Sequence, residues 1–195
     1  MSARFIFCDT ETTGFDPTRD EVWDAAWVFD SEGAIVERQF YVEHRTMPSA
    51  WTLANTDYAK VWCPPLLQKH EPHTRKVSTI RSVVTRLALD ATLLAGPNHE
   101  HDVFFVGAVP TFDFSFLRRH LNDWPFSHRL ICVETLVMGR LGLQEPLPLA
   151  RLRFALGLPG KHEAAHSALG DARETREIFH AARALGELAK AKVPA

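Results

Sequence analysis

Two acidic side chains stand two residues apart where a predicted β-strand ends. The strand is Arg4–Cys8, and Asp9 and Glu11 follow it. Because side chains along a strand alternate between faces, both carboxylates project to one side, together with Phe5 and Phe7. Carboxylates held this close repel each other unless a cation lies between them, and a divalent cation with oxygen preference is the usual solution. The pair could also be charged residues that merely keep a turn soluble.

A third carboxylate, Asp113, follows a second predicted strand, Asp102–Val106, and opens a predicted helix, Asp113–Leu121. In that position it could simply cap the helix N-terminus. It also precedes Phe116 and Leu117 by three and four residues, so it faces inward with them if the helix includes it. The sequence leaves both interpretations open.

A fourth carboxylate, Asp171, lies at the start of the last predicted helix, Leu169–Ala189. Its spacing places it on the apolar face of that helix, which also carries Thr175, Ile178, Ala182 and Leu185. A carboxylate that points toward the protein interior needs a partner or a metal ion. Helix capping remains a second interpretation of this residue.

His166 precedes Asp171 by five residues. On one continuous helix that spacing turns the two side chains ~140° apart, so they could not share a site. If Ala164–Gly170 forms a loop instead, both side chains can face one pocket, and Gly170 favours such a break. A histidine in this place could also be an ordinary surface or core residue.

The elements that must position these residues indicate a mixed α/β sheet of about five strands flanked by helices. Val22–Phe29 and Ala34–Val42 are predicted strands joined by a turn at Ser31–Gly33, so the chain begins with an antiparallel meander. A polar connection follows, from about Glu43 to Val77. The remaining predicted elements are a helix capped by Ser78, a short strand and a further helix, at Ser78–Leu89, Leu130–Val133 and Leu149–Leu156. Helices that alternate with strands predict parallel crossovers in this second half.

Length and composition limit the class of protein. The chain has 195 residues, of which 46% are hydrophobic and 24% charged, and this predicts one domain over residues 1–189 with a frayed tail at 190–195. The net charge of −2 excludes a strong general attraction to nucleic acid, so any such contact must be local. The three cysteines are far apart and form no CxxC pair, which argues against a disulfide framework or a structural zinc site. We expect a cytoplasmic protein without a membrane partner, because no apolar run reaches the ~20 residues of a membrane helix and the N-terminus is unlike a signal peptide.

Three segments together resemble the motifs of a known family. They are Phe7–Gly14 (FCDTETTG), Val106–Asp113 (VGAVPTFD) and His166–Arg173 (HSALGDAR). In this order they resemble the three motifs of the DnaQ-like exonucleases that use a histidine as general base. The resemblance spans about Arg4–Leu185 and implies a ribonuclease-H-like fold, which agrees with the mixed sheet.

The resemblance implies a 3′→5′ exonuclease that hydrolyses phosphodiester bonds with two Mg²⁺ or Mn²⁺ ions. The implied metal ligands are Asp9, Glu11, Asp113 and Asp171, and the implied general base is His166. The resemblance further implies a cradle for the terminal nucleotide, made by Thr10, Thr12, Thr13, Gly14, Phe15 and Phe112. In that cradle Phe15 would wedge against the last base.

The second motif departs from the family at one point. Many relatives have Gly-His-Asn before the Phe-Asp pair, where this chain has Gly107, Ala108 and Val109. The missing amide puts a hydrogen bond to the substrate strand or to a loop in doubt. We therefore expect a changed grip on the substrate and unchanged metal ligands.

The substrate implied first is the 3′ end of DNA, as single strands or frayed ends, in proofreading, repair or end trimming. An exoribonuclease that trims RNA 3′ ends or degrades oligoribonucleotides is the alternative within the same fold, and a non-catalytic nucleic-acid-binding module is the alternative of another class. A DNA polymerase is one candidate protein partner. The segment Gln144–Leu149 (QEPLPL) loosely resembles peptides that dock on a bacterial sliding clamp, but we expect it to lead into the following helix instead.

Overall fold

The computed structural model describes residues 3–62, 77–97, 102–160 and 167–191. A six-stranded sheet forms its centre, with strand order β4-β3-β2-β1-β5-β6. The strands are β1 (Arg4–Thr12), β2 (Val22–Ser31), β3 (Ala34–Val42), β4 (Val77–Ser78), β5 (Val103–Gly107) and β6 (Ile131–Cys132). The pairs β1–β2 and β2–β3 are antiparallel, and the other three pairs are parallel. The predicted mixed sheet is confirmed, with six strands instead of about five.

Seven α-helices flank the sheet in the described part of the chain. They are α1 (Ala50–Asn55), α2 (Tyr58–Trp62), α3 (Ile80–Ala95), α4 (Pro110–Leu117), α5 (Val133–Leu141), α6 (Leu149–Ala155) and α7 (Ala168–Ala191). None of these helices combines the length and the apolar character that crossing a membrane requires. Helix α7 includes the first two residues of the predicted tail, and residues 192–195 lie outside the described residues.

The predicted hairpin between β2 and β3 is confirmed. Its two central residues, Glu32 and Gly33, both have positive φ angles, of 49° and 82°. Two residues with positive φ define the type I′ turn, whose twist matches that of the flanking strands. The turn fixes the register in which Ser31 pairs with Ala34.

Each face of the sheet carries its own hydrophobic cluster. On one face Ile6 and Cys8 of β1 pack with α3 and α4, through residues such as Leu87. On the other face Phe7 packs with α5, α6 and α7, through residues such as Ile178. Because β1 continues unbroken to Thr12, its alternation carries the odd-numbered side chains toward α7 beyond Phe7.

Several predictions differ from the structure for identifiable reasons, and the helix predicted at Asp113–Leu121 runs instead from Pro110 to Leu117. Ser78 does not cap α3, because it pairs with Val42 as part of β4, and the hydroxyl of Thr79 accepts the capping hydrogen bond. The connection predicted from Glu43 to Val77 contains α1 and α2 as well as β4. Helix α5 was missed because it follows β6 without a loop and takes Cys132, an uncommon capping residue, at its N-terminus.

Candidate active site

Three carboxylates from two elements meet at one end of the sheet. Asp9 and Glu11 project from β1 on the face that α7 covers, and Asp171 projects from the first turn of α7. Each of the three offers an oxygen, and these oxygens all lie within 4.8 Å of one another. The strand geometry expected for Asp9 and Glu11 is therefore observed, and these three residues are named the carboxylate cluster below.

Asp171 faces inward because of where α7 begins. The helix starts at Ala168, and Thr175 and Ile178, which continue the same stripe after Asp171, are fully buried. Ser167 supplies the N-terminal partners, since its carbonyl accepts from the Asp171 amide (3.0 Å) and its hydroxyl from the Gly170 amide (3.2 Å). Asp171 is therefore not the cap.

Two predictions about α7 were wrong, one about the loop before it and one about how far its buried face extends. Gly170 lies inside the helix, which begins at Ala168, so the loop expected at Ala164–Gly170 does not extend to Gly170, and residues 164–166 lie outside the described residues. Leu185 is 40% exposed, so the buried stripe does not reach it. His166 lies outside the described residues, two positions before the first helical residue.

Asp113 approaches the cluster from α4, on the other side of β1. The helix begins at Pro110, a residue favoured at the first helical position, so Asp113 lies inside the first turn and is not the cap. Its Oδ1 accepts hydrogen bonds from the Thr10 amide (2.9 Å) and the Thr10 hydroxyl (2.7 Å). Burial raises the pKa of Asp113 to about 7, although both bonds from Thr10 favour the charged form. These bonds hold α4 against β1 at Thr10, the residue between Asp9 and Glu11.

A tight turn between β5 and α4 makes this approach possible. A side chain at Gly107 would meet Pro110 at 3.1 Å and the Cys8 carbonyl at 3.4 Å. Glycine therefore lets the turn pack directly on β1. Val109, which stands where many relatives have an asparagine, is half exposed on the cavity wall described below.

Burial and mutual repulsion disfavour the charged forms of the clustered carboxylates, and bound cations would offset both effects. Burial raises the pKa of Asp9 well above its ordinary value, and the charges of Asp113, Asp171, Glu11 and Asp24 raise it further. Burial, followed by Asp171 and Asp24, raises the pKa of Glu11 from 4.5 to about 9. Without a cation such a group holds protons at neutral pH. Carboxylate oxygens so placed are the donors that Mg²⁺ and Mn²⁺ prefer, so the residues present fit divalent cations.

A cavity of about 340 Å³ opens beside these acids. Its walls combine the acidic end with an aromatic end, where the rings of Phe15 and Trp51 lie 4.9 Å apart and those of Phe15 and Phe112 lie 6.3 Å apart. Phe15 is 60% exposed and Trp51 is 51% exposed. The lining residues are Asp9, Thr10, Glu11, Thr12, Phe15, Trp51, Thr52, Thr56, Ala108, Val109, Phe112, Asp113 and Asp171.

The residues expected to cradle a nucleotide divide into two groups. Thr10, Thr12, Phe15 and Phe112 line the cavity, whereas Thr13 and Gly14 are not among its lining residues. Thr13 instead ties the loop together, since its amide donates to the Glu21 carbonyl (2.8 Å) and its carbonyl accepts from the Ser49 amide (2.7 Å). A side chain on Gly14 would overlap the Asp20 carboxylate, so this position holds the loop close to β2.

Three residues at or near the site were not assigned from the sequence. Trp51 and Thr52 come from α1, in the segment expected to be a connection, where Ser49 caps the helix by accepting from the Thr52 amide (3.1 Å). The Ser-x-x-Thr spacing before an apolar residue was the available signal. Asp24 lies within β2, and its signal was a single carboxylate inside the otherwise apolar run Val22–Phe29.

The likeness to known proteins agrees with this geometry. No family model matches the chain. A protein named ribonuclease T from Marinobacter nauticus is 27% identical over 193 residues, which cover 92% of this chain and 84% of that protein. The solved structure of exonuclease I from E. coli in a zinc-bound complex with single-stranded DNA has a TM-score of 0.65 and 18% identity. Exonuclease I from Methylocaldum szegediense has a TM-score of 0.66 and 17% identity.

The exonuclease I structures establish the fold of this chain. They match 98% and 94% of it, but the chain spans only about two fifths of their own length, 42% and 41%. Ribonuclease T matches nearly end to end. The chain therefore shares the fold of the exonuclease I structures over nearly its whole length and is similar in sequence to a protein named ribonuclease T.

Proposed function

We propose that the protein is a 3′→5′ exonuclease that releases nucleoside monophosphates from the 3′ end of single-stranded or frayed DNA. One observation carries this proposal: the carboxylate cluster and Asp113 lie on the wall of the same cavity that ends in exposed aromatic rings. The acids suit a phosphate and its metal ions, and the rings suit a base. We assign the activity to one domain over residues 1–189, followed by a short tail.

Asp9, Glu11, Asp113 and Asp171 would hold two Mg²⁺ or Mn²⁺ ions. When bound, the ions would lower the pKa of a water molecule and stabilise the leaving 3′ oxygen. Asp113 is already oriented by Thr10, so its free oxygen faces a defined direction. We assign the acceptance of the water proton to His166, because a neutral imidazole is the side chain suited to this step near pH 7.

The aromatic end of the cavity favours a single strand. Phe15 and Trp51 are tilted against each other by 60° and leave much of their surface exposed. Base–aromatic stacking accepts every base, since each has a π-face. A base that is paired in a duplex cannot leave its stack without first unpairing, so single strands and frayed ends enter more easily. Val109 presents an apolar wall on the side where many relatives offer an amide.

DNA is the first candidate substrate and RNA the second. The E. coli exonuclease I structures contain single-stranded DNA, including a dA16 oligonucleotide, and share the fold of this chain. The name ribonuclease T favours RNA for the 27% identical relative. We place the DNA activity in proofreading, repair or end trimming, with a DNA polymerase as one candidate partner. Docking on a sliding clamp through Gln144–Leu149 is not favoured, because Leu147 and Leu149 pack on the core beside α6.

The test uses matched DNA and RNA oligonucleotides, labelled at either end, with Mg²⁺, Mn²⁺ or EDTA. We expect stepwise shortening from the 3′ end that requires metal and is faster on DNA. Asp9→Asn should abolish it, whereas Asp123→Asn, the same change on an exposed loop, should not. Shortening from the 5′ end, or none with either metal, would contradict the proposal. Faster shortening of RNA would select the second candidate, and tight binding without cleavage would select the non-catalytic module.

A further inference from the structure

Asp24 is a buried carboxylate that stands beside the carboxylate cluster without belonging to it. It pairs with Glu11 across β1 and β2, and its exposed fraction is 1%. Residues that are directly opposite on neighbouring strands project to the same face, so Asp24 points to the side that α7 covers. Like charges opposite each other destabilise a strand pair. An acid at this position therefore suggests a role that outweighs this cost.

The hydrogen bonds of Asp24 connect three elements. Its Oδ2 accepts from the Gln39 side-chain amide on β3 at 2.9 Å, and from the backbone amide of Ala168 at 3.4 Å. Ala168 is the first residue of α7, and 144 positions separate it from Asp24. The first amides of a helix have no partner within the helix, and a negative charge beside them is favourable. Gln39 holds the carboxylate in the orientation that reaches this amide.

The position of Ala168 matters because Asp171 follows three residues later, in the same first turn. An oxygen of Asp171 must lie close to Asp9 and Glu11 for the cluster to exist. The bond from Ala168 to Asp24 seats that turn on the sheet. The charge of Asp24 is also felt at the cluster, since it raises the pKa of both Asp9 and Glu11.

We propose that Asp24 is a positioning residue, which seats the first turn of α7 on β2 and thereby brings Asp171 within metal-binding distance of Asp9 and Glu11. This inference rests on the proposed metal-dependent function. Asp24 acts through its hydrogen-bond acceptor, and its charge adds to the attraction of a cation. Partners that orient metal ligands in this way typically account for ~10–100-fold in metal affinity.

Two substitutions separate the acceptor from the charge. Asp24→Ala removes both, so we expect the Mn²⁺ dissociation constant, measured by calorimetry, to rise at least about tenfold. Hydrogen exchange at the Ala168 amide, followed residue by residue, should become faster in the same variant. Asp24→Asn keeps an oxygen acceptor, so the exchange rate should stay as in the wild type. Because this variant lacks the charge, its Mn²⁺ dissociation constant should lie between those of the wild type and Asp24→Ala.

Asp90→Asn is the matched control. Asp90 is also a buried carboxylate, 3% exposed, but it accepts from Trp27 (3.0 Å) and Arg38 (3.3 Å), in the layer between the sheet and α3. The loss of its charge should lower stability without changing Mn²⁺ affinity or hydrogen exchange at Ala168. Wild-type Mn²⁺ affinity in Asp24→Ala, or wild-type exchange at Ala168 in that variant, would overturn the inference. Exchange in Asp24→Asn as fast as in Asp24→Ala would also overturn it.

Failure of the proposed function and failure of the inference about Asp24 give different results. A wild-type protein that binds no Mn²⁺ would refute the proposed function and this inference together. A wild-type protein that binds Mn²⁺ and shortens oligonucleotides, with equal Mn²⁺ affinity in Asp24→Ala, would refute the inference alone.

Discussion

Glu11→Gln should stabilise the metal-free protein above neutral pH. The folded chain keeps a proton on Glu11 up to about pH 9, whereas the unfolded chain releases it near 4.5. Between these values the unfolded chain binds fewer protons, so the free energy of unfolding falls as the pH rises. The contribution of Glu11 to the free energy of unfolding is fully present below about pH 4.5 and is lost as the pH rises through the folded pKa of Glu11.

The expected size follows from the linkage relation. One proton contributes about 1.4 kcal/mol per pH unit, so the metal-free wild type should lose about 3 kcal/mol from Glu11 between about pH 6 and pH 8. For a domain of this length that corresponds to about 3–5 °C in Tm per pH unit. Glutamine cannot ionise, so Glu11→Gln should lack this contribution and have the flatter profile. Mn²⁺ should raise the Tm of the wild type more than that of the variant, because the variant lacks one carboxylate.

The assay is thermal unfolding in EDTA across this pH range, repeated with Mn²⁺. Glu21→Gln is a matched control with the opposite sign. Burial works against ionisation of Glu21, but hydrogen bonds from Thr46 and Arg45 hold its pKa below the ordinary value, so its stability is present at higher pH and lost as the pH falls. Glu21→Gln should therefore lower Tm at pH 8, where Glu11→Gln raises it. A metal-free wild type whose stability is constant or increases from about pH 6 to 8 would refute the reasoning.

Three further outcomes are expected. His166→Ala should lower turnover by ~10²–10⁴-fold, with the free energy of unfolding unchanged in urea titrations; unchanged turnover would remove His166 from the mechanism. Phe15→Ala should raise KM for a single-stranded oligonucleotide about tenfold with little change in kcat, and an abasic 3′ end should erase the difference from the wild type. Thr10→Val removes the hydroxyl bond to Asp113 and should lower the free energy of unfolding by about 2 kcal/mol; equal urea midpoints for the two proteins would show that this bond adds nothing.

Local patterns predicted most of the fold. The alternation in β1 placed Asp9 and Glu11 on one face, and Ser31–Gly33 predicted the hairpin that the positive φ angles of the turn confirm. These features depend on neighbours in sequence, so periodicity and turn chemistry suffice to find them. The start of α4 was predicted at Asp113, three residues late, although Pro110 is a residue favoured at the first helical position.

The remaining features depend on contacts between distant residues. β4 exists because Val77 and Ser78 pair with the end of β3. Asp113 is oriented by Thr10, which is 103 positions away, and no local pattern distinguishes that role from capping. The partner of Asp24 at Ala168 was similarly out of reach of sequence periodicity. The motif resemblance supplied the grouping of the acids that local rules could not.

The assembly of the carboxylate cluster from β1 and α7 has a consequence for folding. Elements that are distant in sequence must close long loops before they touch, and such contacts form late compared with a hairpin. The β2–β3 hairpin can form on its own, but Asp171 reaches Asp9 only after α7 has docked on the sheet. A partly folded chain therefore lacks the complete cation site. Under the proposed function, recovery of cleavage activity during refolding would report the docking of α7, and not the formation of the sheet that receives it.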